Sequence, residues 1–260
     1  MEEPQINWSV PLSFSARKGI KLAYRYFQGT ELTVVYLGGF HSNMNGEKAS
    51  KVFKHASKKY GFSALCLDYS GHGSSDGVFH EGNISTWLDD AIHVINEVTE
   101  GPLIICGSSM GAWITFLASL RLKNRVKGIL TIAAATDMTE KFIWEKCTDQ
   151  HKTQLQNQGY FDHNSQYDEE PYRITMQLIQ DGKQHLILND KIELSCPVRM
   201  LHGTADEDID WQNSLNTMNM LKSKDVHLNL IKDAGHRLSD PEHIQEIIQS
   251  LDELVILAKT

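Results

Sequence analysis

Three kinds of side chain in this sequence have the chemistry for nucleophilic acyl transfer if folding brings them together: a serine hydroxyl, an imidazole and a carboxylate. The serine is Ser109, within Gly107-Ser108-Ser109-Met110-Gly111. Gly-x-Ser-x-Gly is common by chance, so its neighbours decide its weight. Here apolar Leu103-Ile104-Ile105-Cys106 precedes it, and a helix-forming stretch, Ala112 to Leu122, follows. Strand, sharp turn and helix form the setting in which a strained serine projects above a sheet, with no room for side chains at 107 and 111. The helix start also aims its amide dipoles at developing negative charge. A glycine-rich turn with only a structural duty is the competing reading, and Ser108 is an adjacent competitor off the centre of the run.

A serine hydroxyl stays weakly nucleophilic until a base takes its proton, and a carboxylate must then hold the base in the right tautomer. The expected chain order is serine, acid, histidine. Among twelve histidines, His236 is the best base, since it lies in Lys232-Asp233-Ala234-Gly235-His236-Arg237, after the apolar run Val226 to Ile231 and before the final helix. His72 and His202 sit in glycine-rich turns and read as structural, and His243 falls on the last helix. The acid belongs in the loop after Val198 to Leu201, where Asp206, Glu207, Asp208 and Asp210 compete. Asp206 is chosen because it lies just beyond the turn, while Asp208 and Asp210 suit solvent or the cap of a helix beginning near Trp211. A tetrahedral intermediate also needs two donors for its oxyanion. The backbone N–H of Met110 supplies one, and that of Phe40, after the Gly38-Gly39 turn, supplies the other. The dense turn Asp68 to Asp76 reads as architecture, its glycines opening unusual conformations and its aspartates bonding local amides.

The elements that must position these groups are legible as alternation. After an antiparallel pair (Val10 to Ser15 and Ile20 to Phe27), apolar runs at Thr33 to Leu37, Ser63 to Leu67, Leu103 to Cys106, Val126 to Ala133, Val198 to Leu201 and Val226 to Ile231 suit strands buried on both faces. Between them Ala49, Val52, Phe53 and Ala56 recur at helical spacing, as do Leu88, Ala91, Ile92 and Ile95, and later Ile244, Ile247, Ile248 and Leu251. Asp240 and Pro241 mark the start of the last helix. Strand-helix alternation predicts an α/β fold with a mostly parallel, doubly wound sheet of about eight strands. From about 136 to 190 the rhythm breaks into polar sequence carrying Trp144, Tyr160, Phe161, Tyr167 and Tyr172, which reads as an insertion over the carboxyl edge of the sheet. The whole chain, 1–260, is expected to be one domain with that insertion.

A formal net charge of -8 argues against nucleic acid or anionic lipid as a partner. The four cysteines are far apart, which counts against disulfides and metal clusters, and the acidic Met1-Glu2-Glu3-Pro4 start is unlike a secretory signal. No apolar run is long enough to span a bilayer. A reducing compartment is expected: the cytoplasm, or the mitochondrial matrix after loss of a transit peptide.

Together, Gly38-Gly39-Phe40, Asp68 through Asp76, Gly107 through Gly111, His202-Gly203 with Asp206, and Gly235-His236 resemble the α/β-hydrolase superfamily over nearly the whole chain. Phe40 through Ala49, Asp68 through Gly77 and Gly107 through Gly111 are similar to a narrower group of small capped hydrolases. That group includes the mitochondrial enzyme acting on acyl glucuronides and protein S-palmitoyl thioesters, together with bacterial carboxylesterases. The resemblance implies a helical cap between the sixth strand and the acid-bearing strand, a triad of Ser109, Asp206 and His236, and oxyanion amides at Phe40 and Met110. Ala112 replaces a glycine often found after the elbow, and Asp210 stands where proline is common; neither removes a catalytic group.

The implied activity is hydrolysis of a carboxylic ester or thioester, on a small molecule or an acylated protein, through an acyl-enzyme. This chemistry calls for no cofactor and no metal. Rivals on the same triad are a carbon-carbon bond hydrolase and a peptidase, and from another class a non-catalytic ligand-binding protein of the same fold. Dehalogenases and epoxide hydrolases of this fold need an aspartate nucleophile where this chain has Ser109.

Overall fold

The computed structural model describes residues 10–164 and 171–259; Tyr167 and the Met1–Pro4 start lie outside them. Eight strands form the central sheet: β1 (Ser13–Arg17), β2 (Ile20–Phe27), β3 (Thr30–Leu37), β4 (Phe62–Leu67), β5 (Leu103–Ser108), β6 (Val126–Ile132), β9 (Val198–Gly203) and β10 (Val226–Ile231). Their order is β1-β2-β4-β3-β5-β6-β9-β10. β1 and β2 pair antiparallel, as do β2 and β4, and the remaining pairs are parallel. The first strand begins at Ser13, later than the apolar pattern from Val10 suggests, because its ladder opens with Ser13 opposite Tyr24.

Continuous apolar runs arise because both faces are covered. On one face Val35, Leu37 and Ile105 meet Trp87 and Leu88 of α2 (Ile84–Val98) and Trp113 and Phe116 of α3 (Met110–Arg121). On the other, Val34, Tyr36 and Ile104 meet Val52 and Phe53 of α1 (Glu47–Lys59) and Ile247 and Leu251 of α7 (Pro241–Ala258). Pro241 suits the first position of α7, where its missing N–H forfeits no intrahelical bond. Asp240 before it takes the extended N-cap conformation, although its side chain makes no capping bond.

The strand order reverses at β3, which has β4 on one side and β5 on the other. Crevices at such reversals, outside the carboxyl ends of parallel strands, are where ligands bind in open α/β sheets. Leu37 lies opposite Gly107, so the loops leaving β3 and β5 are neighbours. Ile231 lies opposite Gly203, which places the loops leaving β9 and β10 side by side.

Between β6 and β9 the chain makes a long excursion through a π-helical turn (Thr139–Trp144), α4 (Asp149–Gln158), β7 (Tyr160–His163), β8 (Tyr172–Thr175) and α5 (Met176–Gly182). Besides the helices expected of this insertion, β7 and β8 pair antiparallel as a separate two-stranded sheet. Their aromatic and β-branched residues, Tyr160, Phe161, Tyr172, Ile174 and Thr175, favour extended backbone. The Asp137 carboxylate pins the ends together, accepting from the amides of Ile187 (2.9 Å) and Leu188 (3.1 Å). At the far end Asp181 accepts from the Ser85 amide at 2.8 Å, which ties α5 to α2. Beyond β9, helix α6 (Gln212–Met220), β10 and α7 complete the described chain.

Candidate active site

β5 runs two residues further than its apolar stretch, to Ser108, because Ser108 still pairs with Ile132 of β6. Ser109 then turns the chain sharply, with φ 57° and ψ -122°, and α3 begins at Met110. A non-glycine residue held there costs about 1–3 kcal/mol. Each fully buried Leu or Ile side chain contributes about 1.5–3 kcal/mol, so Leu103, Ile104 and Ile105, all fully buried, outweigh that strain. Hydrogen bonds fix the turn: the Ser109 amide donates to Ile132 O (2.9 Å), and Ser109 O accepts from Ala112 (3.0 Å) and Ala135 (3.2 Å). A Cβ on Gly107 would lie 2.3 Å from Gly111 O, and one on Gly111 would lie 2.3 Å from Leu37 O and Gly38 O. Ser108 is buried and hydrogen-bonded to Tyr36, leaving Ser109 as the serine at the turn's apex.

The three candidate side chains come together. His236 Nε2 lies 3.0 Å from Ser109 Oγ, and His236 Nδ1 lies 2.7 Å from Asp206 Oδ2. The two loops bearing the imidazole and the carboxylate are strapped to each other. Ala205 donates to Ala234 O at 3.0 Å, the Asp233 amide donates to Thr204 Oγ1 at 2.9 Å, and Gly203 leaves no space for a Cβ against Ala234 O. From α1, the Lys48 ammonium donates to Arg237 O.

Asp206 has no exposed side-chain surface. Its Oδ1 accepts from the amides of Asp208 (3.0 Å) and Ile209 (2.9 Å), while Oδ2 accepts from His236 and also from His202 Nε2 at 3.0 Å. Burial alone would raise its pKa. Hydrogen bonds from His202 and His236, the His236 charge and the Ile209 amide prevail, and hold it well below the ordinary carboxylate range. The competing acids are elsewhere: Asp208 is exposed, and Asp210 accepts from the Gln212 amide at 2.9 Å at the start of α6.

His202 is the residue that sequence reasoning assigns to the turn alone. It is fully buried, and its Nε2 faces two acceptors, Asp206 Oδ2 and Ile209 O, both at 3.0 Å. That nitrogen must therefore carry a hydrogen, and Nδ1, 2.6 Å from Ser214 Oγ, accepts from the hydroxyl. The signal that could find it is the four-residue interval from His202 to Asp206 across a turn closed by Gly203. His72, by contrast, packs among Tyr69, Phe79 and Trp87 with Nδ1 3.2 Å from Ser70 O, and His243 lies on α7 beside Asp240.

The loop after β3 carries the second amide. Tyr69 Oη donates to Gly38 O (3.2 Å), Ser42 Oγ donates to Gly39 O (2.8 Å), and the Met44 amide donates to Asp68 Oδ1 (2.6 Å). Asp68 Oδ2 accepts from Ser74 at 2.9 Å, so the Asp68–Asp76 turn buttresses this loop. Burial raises the Asp68 pKa to about 6 despite those amides. A Cβ on Gly39 would stand 3.3 Å from the Ser109 Cβ, which shows how closely the loop approaches the serine. The Phe40 and Met110 amides have no backbone or side-chain acceptor among the described residues. Two such N–H groups beside a serine suit an oxygen that gains negative charge.

An open cleft of about 410 Å³ lies over the acid loop, lined by Phe142 and Lys146 of the excursion and by Thr204, Asp206, Asp208 and Trp211. Phe142, Ile143, Trp144, Tyr172 and Met176 pack against the same apolar cluster as Phe40. Asp206, Asp208 and His236 also have ligand atoms close enough to share a metal ion, as do Asp240, Glu242 and His243. In the first set both His236 nitrogens and both Asp206 oxygens already have partners. Among the described residues no helix is long and apolar enough to cross a membrane.

A family model described as serine aminopeptidase, S33, matches residues 30–166, just over half of the chain. The mitochondrial palmitoyl-protein thioesterase ABHD10 of Mus musculus is 34% identical over 248 residues, covering 94% of this chain and 82% of the relative. Two solved structures share the fold over 95% of this chain and 98% of their own, each at 32% identity. One is a putative hydrolase from Agrobacterium vitis S4, with a TM-score of 0.89, and the other is mouse ABHD10, with a TM-score of 0.87.

Proposed function

Since this chain belongs to the α/β-hydrolase family described as serine aminopeptidase, S33, we propose that Ser109, His236 and Asp206 form a catalytic triad that cleaves carboxylic esters or thioesters through an acyl-enzyme. The observation that carries this reading is the unbroken line from Asp206 Oδ2 to His236 (2.7 Å) and from His236 to Ser109 Oγ (3.0 Å).

Ser109 Oγ attacks the acyl carbon while its proton passes to His236 Nε2. Asp206 keeps the other imidazole proton on Nδ1 and stabilises the imidazolium that forms. The carbonyl oxygen, now negative, accepts from the Phe40 and Met110 amides. When the tetrahedral intermediate collapses, the alcohol or thiol leaves with the proton from Nε2, and Ser109 carries the acyl group. Water, deprotonated by the same imidazole, then attacks the ester, and the acid product departs as the serine regains its proton. Apart from the substrate and the attacking water, these steps use only groups of the chain.

The thioesterase named among the relatives supports the thioester arm, and its mitochondrial location favours the matrix over the cytoplasm as the working compartment. The excursion over 136–190 is proposed to be the cap that selects the acyl group. The family's description as an aminopeptidase favours one second reading, amide hydrolysis on the same triad. Turnover of p-nitrophenyl acyl esters, acyl thioesters and aminoacyl amides separates the two, with esters or thioesters preferred. Ser109→Ala should lose about 10⁴- to 10⁶-fold in kcat, and wild-type turnover in that variant sinks the assignment. A fluorophosphonate should label Ser109 covalently; failure to do so favours a binding protein without catalysis.

A further inference from the structure

We propose that Tyr172, which the excursion contributes, is a positioning residue for the oxyanion loop: its ring holds Phe40 and His41 in the conformation that aims the Phe40 amide at the substrate oxygen. The inference rests on the reading above, in which that amide is an oxyanion donor.

The loop is tied by hydrogen bonds through Tyr69 to Gly38 and through Asp68 to Met44, and its turn is closed by Ser42, whose amide and hydroxyl both donate to Gly39 O. Between those ties, Phe40 and His41 are embraced by rings. The Tyr172 ring stacks on His41 at 5.2 Å between centroids and stands edge-on to Phe40 at 5.4 Å. Phe79 lies 4.8 Å from Phe40 and 4.7 Å from His41, and Trp87 stands edge-on to Phe40 at 5.8 Å. His41 has φ 55°, in the left-handed region that a histidine seldom adopts. An exposed residue holds such a backbone only when its surroundings over-determine it. The stacked tyrosine lies directly against it. Relaxation of His41 rotates peptide units 40–41 and 41–42, and through the Phe40 Cα it shifts the adjoining unit 39–40, which carries the Phe40 N–H.

Tyr172 is itself held from a firm base. It pairs with His163 across the small sheet, and β8 continues without a break into α5. That helix is bonded to α2 through Asp181 and the Ser85 amide, and just beyond it His185 Nε2 lies 2.7 Å from Ser85 Oγ. The excursion therefore reaches into the site at the place where a backbone donor depends on side-chain packing.

The full chain carrying Tyr172→Ala, Tyr172→Leu or Tyr172→Phe tests this with a p-nitrophenyl acyl ester and with a trifluoromethyl ketone, whose adduct on serine places an oxyanion in the hole. Melting temperatures identify which variants fold, and the leucine variant keeps bulk if alanine loosens the fold. Loss of the ring should lower kcat about 10- to 100-fold with KM within about threefold, because misplacing one donor forfeits much of what that donor supplies. Ketone affinity should fall by a similar factor, and phenylalanine should recover most of the loss. Wild-type kcat in the alanine and leucine variants, a loss confined to KM, unchanged ketone affinity, or a phenylalanine variant as poor as alanine would each overturn the role of Tyr172. Ser109→Ala measured alongside keeps the questions apart: full activity there defeats the triad itself, whereas an inactive Ser109→Ala beside a fully active Tyr172→Ala defeats only the positioning.

Discussion

Two glycines show how differently this molecule holds its parts. At Gly111, beside the serine turn, an added Cβ would lie 2.3 Å from two carbonyl oxygens, those of Leu37 and Gly38. At Gly159, where α4 ends in the excursion, an added Cβ meets nothing within 4 Å, and the residue is there for its φ of 84°. The turn is fixed by backbone packed against backbone, which has no rotamer to yield. The excursion is fixed by a short β7–β8 ladder, by helix caps, ring contacts and a few carboxylate-to-amide bonds, and by buried side chains such as Leu155, Phe161, Leu178 and Ile179, most of them adjustable by a change of side chain. A hydrolase built this way can vary what it admits while keeping how it attacks.

The sharpest way to break that comparison is Gly111→Ala. Overpacking usually costs about 1–3 kcal/mol, and more where the obstacle is backbone, so a loss of roughly 3–5 kcal/mol is expected, along with most of the activity. Urea denaturation of the variant measures it. A loss under about 1 kcal/mol would mean that the loops after β3 and β5 can separate cheaply, and the contrast with the excursion would disappear.

His202→Phe asks whether the rigid side of the comparison extends to the acid. The substitution removes the donor to Asp206 Oδ2 and strands the Ser214 hydroxyl. A fall in kcat of about 10- to 100-fold is expected, with KM little changed, since buried charge-assisted hydrogen bonds are worth about 1.5–3 kcal/mol. His202→Gln, which retains an N–H donor, should fall less. Equal activity in wild type and the phenylalanine variant would return His202 to a purely structural place in the turn.

The pH dependence of stability addresses the same carboxylate. The folded-state pKa of Asp206 lies below its ordinary value of 3.8, so its contribution is complete above that value and is lost as pH falls toward the folded one. The stability difference between wild type and Asp206→Asn should therefore be constant near pH 6 and shrink below about pH 4, with a slope no steeper than about 1.4 kcal/mol per pH unit. Asp68 works in the opposite sense, its pKa being raised to about 6, so its ionisation lowers stability as pH rises from about 4 to 6. A difference that stays flat down to about pH 2 would mean that folding does not lower the Asp206 pKa and that its hydrogen bonds do not favour the charged form.

What is legible in the sequence follows the same division. Glycine two residues on either side of Ser109 encodes a close approach directly, and runs such as Leu103 to Cys106 encode burial on both faces, so the turn and the sheet can be read locally. Ser109, Asp206 and His236 lie far apart in the chain, and the fold brings them within hydrogen-bonding distance. His202 escapes such reading because its role depends on which way an imidazole points within a turn, and residue type does not specify that. The pairing of Tyr160–His163 with Tyr172–Thr175 escapes it because both strands are short and charged residues interrupt their aromatics. Tyr172 stands in the sequence as one of several scattered rings, and its contact with Phe40 crosses more than a hundred residues of chain that no local pattern spans.

The smallest effect is expected at Gly159, and it completes the comparison from the excursion's side. The residue ends α4 in the left-handed conformation, with its amide bonded to Leu155 O at 3.1 Å and its carbonyl accepting from Met176 at 2.8 Å. Alanine fits the space but must adopt φ 84°, which costs about 1 kcal/mol. Both hydrogen bonds survive, so β8 keeps its place and Tyr172 its contact with the loop after β3. Gly159→Ala should therefore melt slightly earlier and turn over p-nitrophenyl esters within about twofold of wild type, since a change of about 0.4 kcal/mol in the barrier is the most that this displacement transmits. A tenfold loss of kcat would mean that the excursion is as intolerant as the serine turn, and that α4, far from the reacting atoms in sequence, is part of what aims the Phe40 amide.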